Sequence, residues 1–318
     1  MKLSNESLKK LVRGACYFEE IKGYLYLHHY SAEQIEHFKN RDEFWYTRSV
    51  LASGIKIEFK TDAEKISFYY YAENVYSDDN TVDIYVDDVA HLVHRISKSG
   101  KTHLECTLPS GNNKVSVYFP TDAMIGVKNF TIDGKYKSMK DRKLKLLAIG
   151  DSLTQGYGAF MSGASYINAL YRKTEYDIMA QGIGGYRYEK GSVTSIDGYA
   201  PDRILTALGT NYHNDPAYDY EKNIEEFYAE LHDAYGDTPV LSVTPIWRGD
   251  ENLDKERFFK VVEAIKAVCA KYPNITVLDG FTLVPHIEEC FVDSLHPNAY
   301  GCELMAQGIA DFMKKIKF

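Results

Sequence analysis

The chain has 318 residues, 45% of them hydrophobic and 26% charged, with a formal net charge of −8. That length exceeds one ordinary domain, and the composition is that of a globular protein. The negative balance argues against nucleic acid or an anionic membrane surface as a partner, and no apolar run approaches the ~18 residues of a membrane span.

Met1 to Tyr17 is charged and lacks the apolar centre of a signal peptide. The five cysteines, Cys16, Cys106, Cys269, Cys290 and Cys302, show no C-x-x-C spacing. They read as buried free thiols in a reducing compartment, so a cytoplasmic location is expected.

From about Gly14 to Gly134 the dominant period is two. Ile55, Ile57 and Phe59 alternate with polar residues, as do Ile66, Phe68 and Tyr70, and then Val82, Ile84 and Val86. Leu104, Cys106 and Leu108 continue the pattern, and Val115, Val117 and Phe119 follow the turn Pro109-Ser110-Gly111-Asn112. Short strands joined by polar turns predict an antiparallel β-sandwich, jelly-roll-like in form. Many of the 26 tyrosines fall here and suit its edges. Ser31 to Phe38 breaks the pattern and reads as a short helix or a loop. His28 and His29 would point to opposite faces of a strand, which disfavours joint metal binding. Residues 134–145, G-K-Y-K-S-M-K-D-R-K-L-K, are basic and poor in apolar residues, and read as a linker. The expected division is a β-sandwich over residues 1–138 and a second domain over 139–318.

After Lys145 strands and helices alternate. Leu144 to Ile149 is a buried strand followed at once by Gly150-Asp151-Ser152. Tyr176 to Ala180 is a second strand, ending in Gly182-Ile183-Gly184-Gly185. Arg203 to Leu208 is a third, ending in Gly209-Thr210-Asn211. Val240 to Val243 and Ile275 to Leu278 are the fourth and fifth. Helical stripes separate them: Ile224, Phe227, Tyr228 and Leu231; then Phe258, Val261, Val262, Ile265 and Val268. Met305, Ile309, Phe312, Met313 and Ile316 mark a last helix. This order predicts an α/β domain with a doubly wound parallel sheet.

In such a sheet every strand ends at the same edge. Ser152, the glycines after the second strand, Asn211, and Asp293 with His296 all gather there. A hydroxyl, a bare backbone amide, a carboxamide, and an imidazole beside a carboxylate are the parts needed for acyl transfer. Serine needs a base to take its proton, and histidine titrates near neutrality. Asp293 precedes His296 by three residues, so a tight turn brings the carboxylate to the ring, where it would hold the tautomer.

G-D-S-L at 150–153, the glycine after the second strand, G-T-N at 209–211 and D-S-L-H at 293–296 resemble the four sequence blocks of the SGNH, or GDSL, hydrolases. The resemblance covers about Lys143 to Phe318. It implies a flavodoxin-like sheet and ester hydrolysis through an acyl-serine. It also implies Ser152 as nucleophile, His296 as base and Asp293 as acid. Oxyanion donors would be the Ser152 amide, Asn211 and a block-two glycine: Gly185 by its place at the end of the block, with Gly184 and Gly182 as alternatives. The third block departs from the family's usual G-T-N-D, because Tyr212 stands where the acid is expected. A β-sandwich before such a domain resembles the two-domain carbohydrate acetyl esterases and related acyltransferases in architecture.

The loops past the strand ends are rich in glycine, tyrosine, serine and charge, with no long apolar lid. Tyr186, Tyr212, His213 and Trp247 are the candidates for contacting substrate there, with packing inside their loops as the competing assignment for His213 and Trp247. The expected substrate is a small-molecule or oligosaccharide acyl ester, most simply an acetylated carbohydrate. An acyltransferase or lipid esterase on the same triad is the alternative, and a non-catalytic sugar-binding protein is the alternative of another class. No H-E-x-x-H motif or histidine–cysteine cluster appears, so no metal or cofactor is expected.

Overall fold

The computed structural model describes residues 1–77, 80–212 and 217–318. The N-terminal strands are β1 (Val12–Arg13), β2 (Tyr17–Ile21), β3 (Tyr24–His28), β4 (Lys56–Thr61), β5 (Lys65–Glu73), β6 (Thr81–Val86), β7 (Val89–Arg95), β8 (Gly100–Thr107), β9 (Asn113–Tyr118), β10 (Met124–Ile132) and β11 (Tyr136–Ser138). One antiparallel sheet runs β1-β4-β9-β6-β7, with β11 also on β4; the other runs β2-β3-β10-β5-β8. From β3 to β10 the eight strands follow the jelly-roll order, crossing between sheets at every step except the β6–β7 hairpin. The alternating residues read from sequence form the shared core: Ile66 and Phe68 from one sheet meet Ile57, Ile84 and Val117 from the other, all 0–1% exposed.

Two departures matter. After the short α1 (Asn5–Lys9), residues 31–49 form two helices: α2 (Ala32–Arg41), opened by a Ser31–Gln34 capping box, and α3 (Glu43–Ser49), capped by Asp42 Oδ1 on the Trp45 amide at 3.0 Å. Their buried residues Phe38 and Trp45 leave the sandwich and join the core around Ile149 and Tyr186. The segment read as a linker is also partly structured, since β11 pairs with Phe59–Thr61 of β4. Three residues are too few for periodicity to betray a strand.

The second half carries β12 (Leu144–Gly150), β13 (Tyr176–Gly182), β14 (Arg203–Ala207), β15 (Val240–Val243) and β16 (Ile275–Leu278). They pair in parallel in the order β13-β12-β14-β15-β16. Numbered within the domain that is 2-1-3-4-5, the flavodoxin-like order, with its switch point beside β12. Helices α4 (Ser152–Gln155), α5 (Tyr166–Lys173), α6 (Tyr220–Tyr235), α7 (Lys255–Cys269) and α8 (Ala299–Ile316) cover the sheet. Leu170 and Ile309 pack on one face, Phe227 and Ile265 on the other.

The halves meet across a polar seam. Tyr171 of α5 donates to Glu58 Oε2 of β4 at 2.8 Å, and the ammonium of Lys56 sits 3.7 Å from the centre of the Tyr171 ring. Burial pushes that ammonium down to about 7 against the pull of Glu58. The five cysteines are unpaired. Among the described residues no helix is long and apolar enough to cross a membrane.

Candidate active site

Strand β12 is buried to its tip and delivers Asp151 and Ser152 at the switch point. Asp151 caps α4, its Oδ1 accepting from the Leu153 amide at 3.0 Å. Burial pushes its carboxyl up to about 6, a shift the Leu153 amide partly offsets. Ser152 opens the helix, so its N–H lies in the first turn, where no intrahelical acceptor exists.

The loop before α8 brings the other partners. Ser152 Oγ lies 2.8 Å from His296 Nε2, and His296 Nδ1 lies 2.7 Å from Asp293 Oδ2. A carboxylate only accepts, so Nδ1 carries the ring proton and the neutral ring keeps Nε2 as acceptor toward the serine hydroxyl. The other oxygen of Asp293 accepts from the amides of Leu295 and His296, each at 2.7 Å. Burial pushes the Asp293 carboxyl up, but the His296 ring and the two amides outweigh it and hold it at about 2. The ring of Tyr157 packs edge-on against His296 at 4.7 Å.

The three glycines after β13 have different surroundings. Gly182 is paired with Gly150 in the sheet, and a Cβ there would meet the Gln155 amide nitrogen at 2.2 Å, so close packing excludes a side chain. The Gly184 amide is taken by Gln155 Oε1 at 2.7 Å. Gly185, at φ +69°, lines the cavity that holds Ser152 and His296. Asn211 lines it too, with Nδ2 donating to the Tyr186 carbonyl at 2.9 Å and a second hydrogen on the same nitrogen left over.

This cavity has a volume of about 370 Å³. Phe44 and Arg48 of α3, and Asp122 from the loop after β9, close it from the N-terminal side. Gln155 joins the two sides. Its Oε1 holds Gly184, while its Nε2 donates to the Thr121 carbonyl at 3.0 Å and to Asp122 Oδ1 at 3.2 Å.

The expected substrate-contacting side chains do not gather here. Tyr186 is 1% exposed, its ring edge-on to Trp45 at 5.2 Å. Tyr212 is fully buried and donates to the Tyr188 carbonyl at 2.9 Å. Both rings fill the core beneath the loops, because burying a tyrosine face outweighs exposing it where its hydroxyl finds a partner. Trp247 stacks on His286 at 5.6 Å and lines a neighbouring depression that shares only Asp293 with the cavity. His213 lies outside the described residues. Sequence reasoning missed Phe44, Arg48, Asp122 and Gln155. The one signal for the first two was their spacing of four, one helical turn, within a stretch of mostly two-residue period.

Residues 148–304 match the GDSL-like lipase/acylhydrolase family, and this part of the chain is a domain of that family. No curated protein matches the chain. Among solved structures, a salicylyl-acyltransferase from a tetracycline biosynthetic pathway superposes with TM-score 0.81 at 18% identity, covering 100% of this chain and 97% of its own. An acetyl xylan esterase from the rumen bacterium Butyrivibrio proteoclasticus gives 0.71 at 14% identity, over 100% and 98%. A family two carbohydrate esterase from Clostridium thermocellum, in complex with cellohexaose, gives 0.70 at 14%, over 96% and 99%. At these identities the likeness is one of fold, and it extends over both halves of the chain.

Proposed function

We propose that the protein is a serine esterase that removes a short acyl group, acetyl first among them, from a hydroxyl of a carbohydrate. The observation that carries the reading is the unbroken chain from Ser152 Oγ through His296 to Asp293, opening into a small cavity. Ser152 Oγ attacks the ester carbonyl as its proton passes to His296 Nε2. The oxyanion is held by the amides of Ser152 and Gly185 and by the second Nδ2 hydrogen of Asn211. Collapse expels the sugar hydroxyl, which takes the proton from His296. Water then repeats the sequence on the acyl-serine and releases the acid. Gly185 is favoured over its neighbours because the Gly184 amide is occupied and Gly182 is locked in the sheet.

The carboxamide of Asn211 acts on a charge that exists only in the transition state. Asn211→Ala is therefore expected to lower kcat by roughly 10²- to 10³-fold with little change in KM. A rise in KM alone would make Asn211 a ground-state contact.

Acyl-chain length tests the substrate. A cavity of about 370 Å³ walled partly by Arg48, Asp122 and Asn211 gives a fatty chain little apolar surface, and each CH₂ left unburied forgoes about 0.8 kcal/mol. Across nitrophenyl esters, kcat/KM should be highest for acetyl and propionyl and fall steeply by octanoyl. Activity rising toward octanoyl would replace the carbohydrate reading with a lipid-esterase one. Turnover of acetylated sugars then identifies the alcohol.

A further inference from the structure

The charged groups lining the cavity differ in how they are matched. Asp293 is committed to His296, and Asp122 accepts from the Gln155 amide. Arg48 has no carboxylate within ion-pair distance among the described residues. Its polar contact is Nη1 donating to the neighbouring Thr47 hydroxyl at 2.7 Å.

Aromatic rings hold the guanidinium in place of an acid. Its carbon lies 3.9 Å from the centre of Phe44 and 4.3 Å from the centre of Tyr76. Rings attract a guanidinium through its faces and leave its edge, with a fork of N–H donors, for another acceptor. The location ties this edge to the reacting centre. A Cβ built on Gly185 would meet the Phe44 ring, with a ring carbon 3.3 Å away. Arg48 therefore stands one ring's width from the Gly185 loop and lines the same cavity as Ser152. In a protein of net charge −8, a cation with no acid partner among the described residues, lining the same cavity as the serine, marks a place for an acid brought by the ligand.

We infer that Arg48 forms a carboxylate subsite, and that the preferred substrate is a short ester carrying a carboxylate close to the scissile bond, as in the acylated form of an acidic sugar. This rests on the esterase reading above for its chemistry, but not for its binding. The guanidinium fork matches a carboxylate in two parallel hydrogen bonds, and such charge-assisted pairs are the strong ones.

Two matched pairs of esters test it on the full chain. 4-Acetoxybenzoate against 4-acetoxybenzamide places the carboxylate on the alcohol. Nitrophenyl hemisuccinate against nitrophenyl butanoate places it on the acyl group. In one pair the charged member should have the higher kcat/KM, on the order of 10- to 100-fold, and the advantage should shrink as salt is raised. It should collapse in Arg48→Gln and survive in part in Arg48→Lys, which keeps the charge but loses the fork. An advantage in the first pair places the acid on the alcohol, as in an acidic sugar; one in the second pair alone moves it to the acyl group and discards the acidic sugar. Where the esters are turned over, no advantage in either pair, or one that Arg48→Gln leaves unchanged, overturns the subsite. Calorimetry with benzoate and benzamide on the Ser152→Ala protein separates the two readings. Benzoate binding that is lost on adding Arg48→Gln upholds the subsite even if no ester is turned over. Nitrophenyl acetate turnover without any preference for benzoate upholds the esterase and sinks the subsite.

Discussion

Replacing Ser152 with alanine is expected to lower kcat for nitrophenyl acetate by on the order of 10⁴- to 10⁶-fold, with the melting temperature nearly unchanged. The size of the loss follows from what disappears. The Oγ 2.8 Å from His296 Nε2 is the atom that would bond to the acyl carbon. Ser152 is 8% exposed and makes no other side-chain hydrogen bond among the described residues, so its removal strands there only an imidazole that already borders the cavity. A variant retaining a tenth of the wild-type rate would mean that another group performs the attack. Active-site titration with an organophosphonate gives an independent check, because the Ser152→Ala protein should take up none.

His296→Ala should approach the Ser152→Ala loss, and Asp293→Asn should cost measurably less. In the proposed mechanism the imidazole makes and breaks bonds to the moving proton in both half-reactions, whereas Asp293 fixes the ring that does so. The structure adds a reason for Asp293 to do this well. Its carboxylate holds the ring with one oxygen and is itself held by two amides with the other. With a carboxyl at about 2, below the ordinary aspartate value of about 3.9, it stays ionised through any working range. Its contribution to stability is thus present above about pH 4 and lost as the pH falls toward 2. Amidation keeps one acceptor but offers the ring an N–H₂ in one of its two orientations, which would favour the wrong tautomer. A larger loss for Asp293→Asn than for His296→Ala would reverse these roles.

Much of this architecture was legible in the chain because local periodicity and tertiary burial agree. Strands such as Ile55–Phe59 and Val115–Phe119 alternate because one face enters the apolar sandwich core while the other, also buried, carries the polar side chains Lys56, Glu58 and Ser116 toward the second half. The stripes of α6 and α7 show because each helix has one buried side. Ser152, Asn211, Asp293 and His296 were visible because each follows such a pattern at a parallel strand's end or lies in the loop just before the last helix. The missing parts lack that signature. Helix α3 is seven residues long and its burial is split, with Trp45 entering the core and Phe44 and Arg48 facing the cavity. A stripe that narrow is indistinguishable from chance. The loop tyrosines misled for the opposite reason. Tyr186, Tyr188 and Tyr212 sit in polar, glycine-rich stretches that read as exposed, yet each is 0–1% exposed. A hydroxyl bonded to a carbonyl, as in Tyr212, lets an aromatic ring be buried at little cost, and nothing in the one-dimensional pattern announces that bond.

The Gln155 clip places unequal demands on the two segments it joins. On one side it needs a particular side chain, long enough to reach from α4 and able both to accept from Gly184 and to donate. On the other it needs chiefly the Thr121 carbonyl, which any residue supplies if the chain passes that way. Substitution should therefore be tolerated at 121 wherever the loop keeps its path, while at 155 even glutamate, which cannot donate when ionised, breaks the join. Two positions equal in geometry are thus unequal in heredity, and the sandwich can drift in sequence without releasing its hold on the oxyanion loop.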